Sequence, residues 1–259
     1  MLKLSNISKT FNQNLAPEDL KIALKDINLQ IEAGEFVTII GSNGSGKTTL
    51  FNIINGSIKP DCGSVFIDQN DVTNLKEYQR AEYIGIVFQD PLVGTAAGMS
   101  ILENLLLANM RARRKTFKWG FKTQLNEAFK KELSKLNLGL ETRLNQKIGL
   151  LSGGQRQALT LLMATLKTPQ LLLLDEHTAA LDPKTADTVL KITEKIIKEH
   201  NLTTIMITHN MRDALLYGNR LIMLCEGEIV LDIKGEEKKK MSLERLIHLF
   251  YEKNLNVYS

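Results

Sequence analysis

The chain has 259 residues, 43% of them hydrophobic and 24% charged, with a formal net charge of +4. That balance suits a soluble globular protein with a sizeable core, and so mild a basic excess says little about nucleic acid, because charge must be clustered to form a footprint. The longest apolar runs, residues 171–174 and 221–225, fall far short of the length needed to cross a bilayer.

The opening alternates apolar and polar residues, with Leu2, Leu4 and Ile7 suggesting an edge strand. It has no basic start followed by an apolar block, so no signal peptide is expected and the protein is expected to be intracellular. A polar loop, residues 12–20 with Pro17, separates it from residues 23–31, where Leu24, Ile27, Leu29 and Ile31 suggest a second strand. Residues 36–40 form a short continuous apolar run, as a buried parallel strand does, and end at Gly41.

Gly41, Ser42, Asn43, Gly44, Ser45, Gly46, Lys47 and Thr48 match the phosphate-loop spacing, and a helix is predicted over residues 48–55. Glycines let the backbone curl until successive N–H groups converge on phosphate oxygens, and the following helix adds the positive end of its dipole. Lys47 supplies a point charge for the outer phosphates, and the Thr48 hydroxyl is a Mg²⁺ ligand candidate.

Short strands are predicted at residues 64–67 and 84–88. From residue 100 to about 168 the pattern turns helical. Ile101, Leu105, Leu106 and Met110 share one predicted face, and Leu125, Ala128, Phe129 and Leu133 another. This block, within residues 92–168, reads as an insertion between strands. At its start, Arg111, Arg113, Arg114, Lys115 and Lys118 form a basic cluster, expected to be a solvated helix end rather than a lipid or partner contact. Near its end, Ser152, Gly153, Gly154 and Gln155 open a helix through Gln157, Leu161 and Ala164. The start of that helix is a second anion site.

Residues 171–174 are four leucines, a strand buried on both faces, tipped by Asp175 and Glu176. Carboxylates there are costly without a cation or hydrogen-bond donor. Asp175 suits a water-linked Mg²⁺ contact and Glu176 the base that polarises an attacking water. A helix follows from Pro183 to about residue 199, with proline suited to its first turn. Further strands are predicted at 204–208 and 221–224, a solvated turn at 236–240, and an amphipathic helix at 242–253. Strands alternating with helices predict a mainly parallel α/β sheet. Cys62 and Cys225 lie far apart, without ligand-spaced partners, and read as reduced thiols.

With these motifs assembled, the sequence resembles the ATP-binding cassette (ABC) family, in the form of the ATP-binding subunit of a bacterial importer. The loop from Gly41 to Thr48 is similar to its Walker A, residues 171–176 to its Walker B, and Leu151 with Ser152–Gln155 to its signature. Gln89 resembles the glutamine loop, Ala180, Leu181 and Asp182 the D-loop, His209 the switch histidine, and Phe11 the aromatic that stacks on adenine.

The resemblance implies one cassette over residues 1–259: a P-loop, RecA-like core with a mainly parallel sheet, an antiparallel β subdomain and an inserted α-helical subdomain. It implies ATP and Mg²⁺ as ligands. The nucleotide would be held by Phe11, the loop residues, Lys47, Thr48 and Thr49. Thr48, Gln89 and Asp175 would hold the metal, and Glu176 and His209 would be catalytic. Ser152, Gly153, Gly154, Gln155 and Asp182 would close on the ATP of a second, head-to-tail cassette, expected to be identical in sequence.

The expected partners are that second subunit, an integral membrane permease and an extracytoplasmic substrate-binding protein, with the chain peripheral on the cytoplasmic face of the membrane. Import of a small solute such as an amino acid is expected. The alternative is a non-transport ABC ATPase acting on ribosomes or DNA, whose coiled-coil arms or paired cassettes are not seen here.

Two departures stand out. His177 occupies a position where many members carry proline, with no catalytic role attached to it. The loop at 12–20 is longer than usual after Phe11.

Overall fold

The computed structural model describes residues 1–12, 20–111 and 122–255. Most of the 12–20 loop and of the basic cluster, from residue 112 onward, lies outside them. Two sheets organise the described chain. The first is antiparallel, in the order β2 (Lys21–Ile31), β1 (Leu2–Phe11), β4 (Cys62–Ile67), β5 (Asn70–Asp71). The second runs β10 (Glu228–Lys234), β9 (Arg220–Cys225), β3 (Phe36–Gly41), β8 (Thr203–Ile207), β7 (Leu171–Asp175), β6 (Ile84–Val87). All its neighbouring pairs are parallel except β9 with β10. This is the mainly parallel α/β sheet expected from the alternation of strands and helices.

The pattern of burial explains the order. Every residue of β3 and β9 is buried, as in strands covered on both faces. The four leucines 171–174 do the same for β7. β1 carries Leu2, Leu4 and Ile7 inward. It is flanked by β2 and β4, so the edge-strand expectation is corrected: the alternation reports one buried face, which a central antiparallel strand shares with an edge.

The helices α3 (Ile101–Asn109), α4 (Lys122–Ser134) and α5 (Gly153–Thr165) all lie between β6 and β7 in the chain. Ile101 and Leu105 join Phe129, Leu133, Leu159 and Leu161 in one core cluster. Met110, placed on the same face by periodicity, is instead 51% exposed, because α3 ends at Asn109 and the helical register stops with it.

Two buried cations clamp the ends of helices. The Arg80 guanidinium, on α2 (Glu77–Arg80), donates to the carbonyls of Ile53 (2.6 Å), Ile54 (2.7 Å), Thr73 (3.0 Å) and Leu75 (3.1 Å). Ile53 and Ile54 close the C-terminal end of α1 (Lys47–Asn55), where a cation also meets the negative end of the helix dipole. Lys238 belongs to a short helix, α8 (Glu236–Lys240), rather than to the solvated turn expected there. It is 4% exposed, and its ammonium donates to the carbonyls of Tyr217 and Gly218 behind α7 (Met211–Leu216). Burial pushes its pKa down to about 8. A charge run predicts a wet surface, but here one lysine of the run finds unpaired carbonyls at a helix end.

Candidate functional site

The phosphate loop follows β3 directly and opens α1. Gly46 sits at φ 103°, and a Cβ there would lie 2.5 Å from the Ala23 carbonyl oxygen. Only glycine accommodates both the left-handed backbone and that approach. The Lys47 ammonium is buried and donates to the carbonyls of Gly41 (2.9 Å) and Ser42 (2.8 Å). Burial pulls its pKa down, and the charges of Glu176 and Asp175 pull back up.

A cleft of about 660 Å³ opens over this loop, within the size range of small-molecule sites. Asn43, Gly44, Gly46, Lys47, Thr48 and Thr49 line its floor. Gln89, Glu176 and His209 line it from β6, β7 and β8, and Phe11 stands in its wall. The Lys9 ammonium lies 5.6 Å from the Phe11 ring centroid and pairs with Asp61 at 2.6 Å.

Gly41, Ser42 and Ser45 shape the loop without lining the cleft; the Ser45 N–H donates to the Ser42 carbonyl at 3.2 Å. Lys21 and Ala23 do line it. No local sequence signal marks either, although the register Phe11–Lys21 between β1 and β2 puts Lys21 beside the aromatic.

Glu176 follows β7 with φ 44°, a left-handed backbone unusual for a residue with a side chain. Its N–H donates to the Ile207 carbonyl at 3.0 Å, and its carboxylate lies 2.5 Å from His209 Nε2. The carboxylate is 13% exposed and the imidazole 49%. Asp175 ends β7 half-buried. Burial raises its pKa, the charge of Glu176 adds to the rise, and His209 and Lys47 oppose it. Asp175 does not itself line the cleft, but it interacts electrostatically with the Lys47, Glu176 and His209 side chains that do.

Thr48, Gln89 and Asp175 offer a hydroxyl, an amide and a carboxylate, the hard oxygen donors that Mg²⁺ prefers. Among the described residues no group of three or more His, Cys, Asp or Glu converges as a metal cage. A metal here would therefore rest on these mixed donors and on phosphate oxygens, which is how Mg²⁺ is usually held.

Ser152, Gly153, Gly154, Gln155 and Asp182 do not line the cleft. Ser152 caps α5: its Oγ accepts from the Gln155 N–H at 3.3 Å, and Gln155 Oε1 accepts the Ser152 N–H at 3.2 Å. Asp182 caps α6 (Pro183–His200), accepting from the Thr185 N–H at 3.1 Å, and hydrogen bonding from the Thr185 side chain and then its backbone holds the Asp182 carboxyl below the usual range. A Cβ on Gly154 would collide with Thr185 Cγ2 on α6, so the start of α5 packs tightly against that helix. Gln157, fully buried on α5, donates to the Phe88 carbonyl at 3.0 Å, one residue before Gln89.

The sequence attaches no catalytic role to His177. It is fully buried, its Nε2 lies 3.2 Å from Thr193 Oγ1 on α6, and burial pushes its pKa down to about 4. Nothing in its polar surroundings in sequence signals this; only the packing of α6 reveals it.

The profile of the family described as ABC transporter matches residues 24–179. The chain is 46% identical to a tyrosine transport ATP-binding protein of Clostridioides difficile (strain R20291), an alignment covering 96% of this chain and 98% of the relative. It is 33% identical to a phosphonates import ATP-binding protein of Lactococcus lactis subsp. cremoris (strain SK11), over 95% of this chain and 98% of that protein. Among solved structures, an ATP-binding cassette dimer in a post-hydrolysis state bound to ADP and Pi superposes with a TM-score of 0.73 at 34% identity, covering 90% of this chain and 98% of the other. A nucleotide-free cassette from an ABC transporter gives 0.76 at 28% identity, covering 100% and 98%.

Proposed function

Because the chain belongs to the ABC transporter family and is an ATPase subunit of a transport system, we propose that it works as one half of a head-to-tail cassette dimer. ATP binding closes the pair, and hydrolysis reopens it. The observation that carries this reading is the division of its phosphate-binding elements. Lys47, Thr48, Gln89, Glu176 and His209 share one cleft, whereas the α5 start at Ser152, Gly153 and Gly154 lies outside it. A second copy related by a two-fold axis would bring that start, with Gln155 and Asp182, over the first copy's nucleotide. The dimeric cassette found among the structural relatives supports the arrangement.

The chain's own groups divide the work. Phe11 stacks the base, and the loop amides with Lys47 hold the phosphates. Glu176 Oε accepts a proton from the attacking water, and the imidazole of His209, hydrogen-bonded to that carboxylate, holds the γ-phosphate in line. Mg²⁺, held by Thr48, Gln89 and, through water, Asp175, would neutralise charge on the phosphate oxygens. Catalysis is then positioning and charge stabilisation rather than covalent chemistry.

Among the described residues no helix is long and apolar enough to cross a membrane. We therefore assign the membrane step to a separate integral permease, with this chain peripheral on its cytoplasmic face. The segment from Gln89 through Leu92 and Val93, whose two apolar side chains are exposed, is the proposed contact. The names of two relatives, a tyrosine transport and a phosphonates import ATP-binding protein, support import with an amino acid as cargo; an extracytoplasmic binding protein would be its donor.

Glu176→Gln tests the reading. The variant keeps ATP affinity, loses turnover and accumulates an ATP-bound dimer on size-exclusion chromatography. Hydrolysis at the parent rate would refute the assignment of the base.

A further inference from the structure

We propose that His177 is a positioning residue: by anchoring the turn after β7 onto α6, it fixes the direction of the neighbouring Glu176 carboxylate. The inference rests on Glu176 being the base that activates water.

The geometry runs through one hydrogen. Thr193 Oγ1 donates its only hydrogen to the Val189 carbonyl at 2.8 Å. At His177 Nε2, 3.2 Å away, the hydroxyl oxygen therefore acts as acceptor, and the imidazole must carry its proton on Nε2. Both side chains are buried, His177 to 2% and Thr193 to 1% exposure, so the bond is made out of water, where an unmade partner is costly.

What the anchor holds is a strained turn. Glu176 stands at φ 44°. Two backbone bonds brace it, its own N–H to Ile207 and the Ala179 N–H to its carbonyl at 2.9 Å. Neither fixes the turn to α6; the described bond that does so is His177 to Thr193. Strained backbone persists only where its surroundings over-determine it. A carboxylate that must face an attacking water tolerates little rotation, since a shift of about 1 Å can cost about a hundredfold in rate.

The same helix meets the other functional element of the chain. Val189, whose carbonyl receives Thr193, places its Cγ2 3.9 Å from a Cβ built on Gly154, and Thr185 lies closer still. α6 therefore carries the anchor of Glu176 and the seat of the Ser152–Gly154 start on neighbouring turns.

Thr193→Val removes the acceptor at nearly constant shape, and Thr193→Ser restores it. Steady-state ATP hydrolysis by the purified full-length chain should show kcat reduced about tenfold or more in the valine variant, with the ATP dissociation constant within about twofold of the parent. The serine variant should recover most of the rate. Parent-like kcat in Thr193→Val, equal losses in both variants, or a matching loss of ATP affinity would each overturn the proposal.

Should Thr193→Val give no cooperative melt, His177→Phe fills the pocket without a donor. It must then show the same kcat loss with ATP affinity retained, and a parent-like rate overturns the proposal. Glu176→Gln run alongside separates the layers. If it hydrolyses ATP normally, the reading of the base fails; if it is inactive while Thr193→Val is normal, only the role of His177 fails.

Discussion

Arg80 offers a quantitative test of what holds the nucleotide-binding helix in place. In Arg80→Leu the site keeps an apolar side chain, but four carbonyls lose their donor: Ile53, Ile54, Thr73 and Leu75. Hydrogen bonds from a charged donor contribute about 2 kcal/mol each, or roughly 8 kcal/mol for the set. Against this, the variant is relieved of burying a cation. Burial drags the Arg80 pKa down to about 10, with the charge of Asp71 opposing, which corresponds to a desolvation cost of about 3 kcal/mol. The net loss is about 5 kcal/mol, within the range for breaking a buried charged network. For a chain of 259 residues the unfolding entropy is roughly 0.5 kcal/mol per kelvin, so the midpoint should fall by about 10 °C. Thermal unfolding followed by far-ultraviolet circular dichroism, parent and variant at equal concentration, measures it. A midpoint within about 2 °C of the parent would refute the reasoning, because the four carbonyls would then be satisfied without the guanidinium.

Lys47→Ala removes the charge that faces the outer phosphates, and a nucleotide titration should show ATP affinity falling by at least about tenfold, the equivalent of about 1.4 kcal/mol; unchanged affinity would contradict the loop assignment. The His177 pKa of about 4 lies below the ordinary value of 6.5. The folded state therefore binds fewer protons than the unfolded state between those limits. Its contribution is fully present above pH 6.5 and is lost as pH falls toward 4, about 2 kcal/mol of it by pH 5. His177→Phe should flatten this part of the stability profile, and melts at pH 7 and pH 5 that drop equally in parent and variant would argue against a buried neutral imidazole.

The phosphate loop, the leucine strand and the helix starts at Ser152 and Pro183 were legible because each is a local device. Glycine spacing, an unbroken apolar run, and proline in a first turn act within a few residues of themselves. The sheet order was not legible, since the alternation of Leu2, Leu4 and Ile7 reports a buried face and says nothing of how many neighbours share it. β10 escaped notice for a related reason: Glu228, Asp232 and Lys234 interrupt its apolar residues, as an exposed edge permits. Lys238 and His177 defeated local reading altogether. One sits in a charge run, the other in a polar turn, and both are buried because distant carbonyls and a distant hydroxyl meet them. Lys21 lay just outside the alternating segment and became a cleft residue only through its pairing with Phe11.

The Lys47 ammonium rests against two carbonyls of its own loop, Gly41 and Ser42. Its charge is therefore partly satisfied and its side chain ordered before any phosphate arrives. An incoming anion must outcompete those carbonyls rather than capture a freely hydrated lysine. Competition of this kind rewards ligands that bring several negative oxygens at once and leaves little for a monoanion of similar size. The loop then acts as a threshold on charge density, and its selectivity for polyphosphate comes as much from what Lys47 must relinquish as from what it gains.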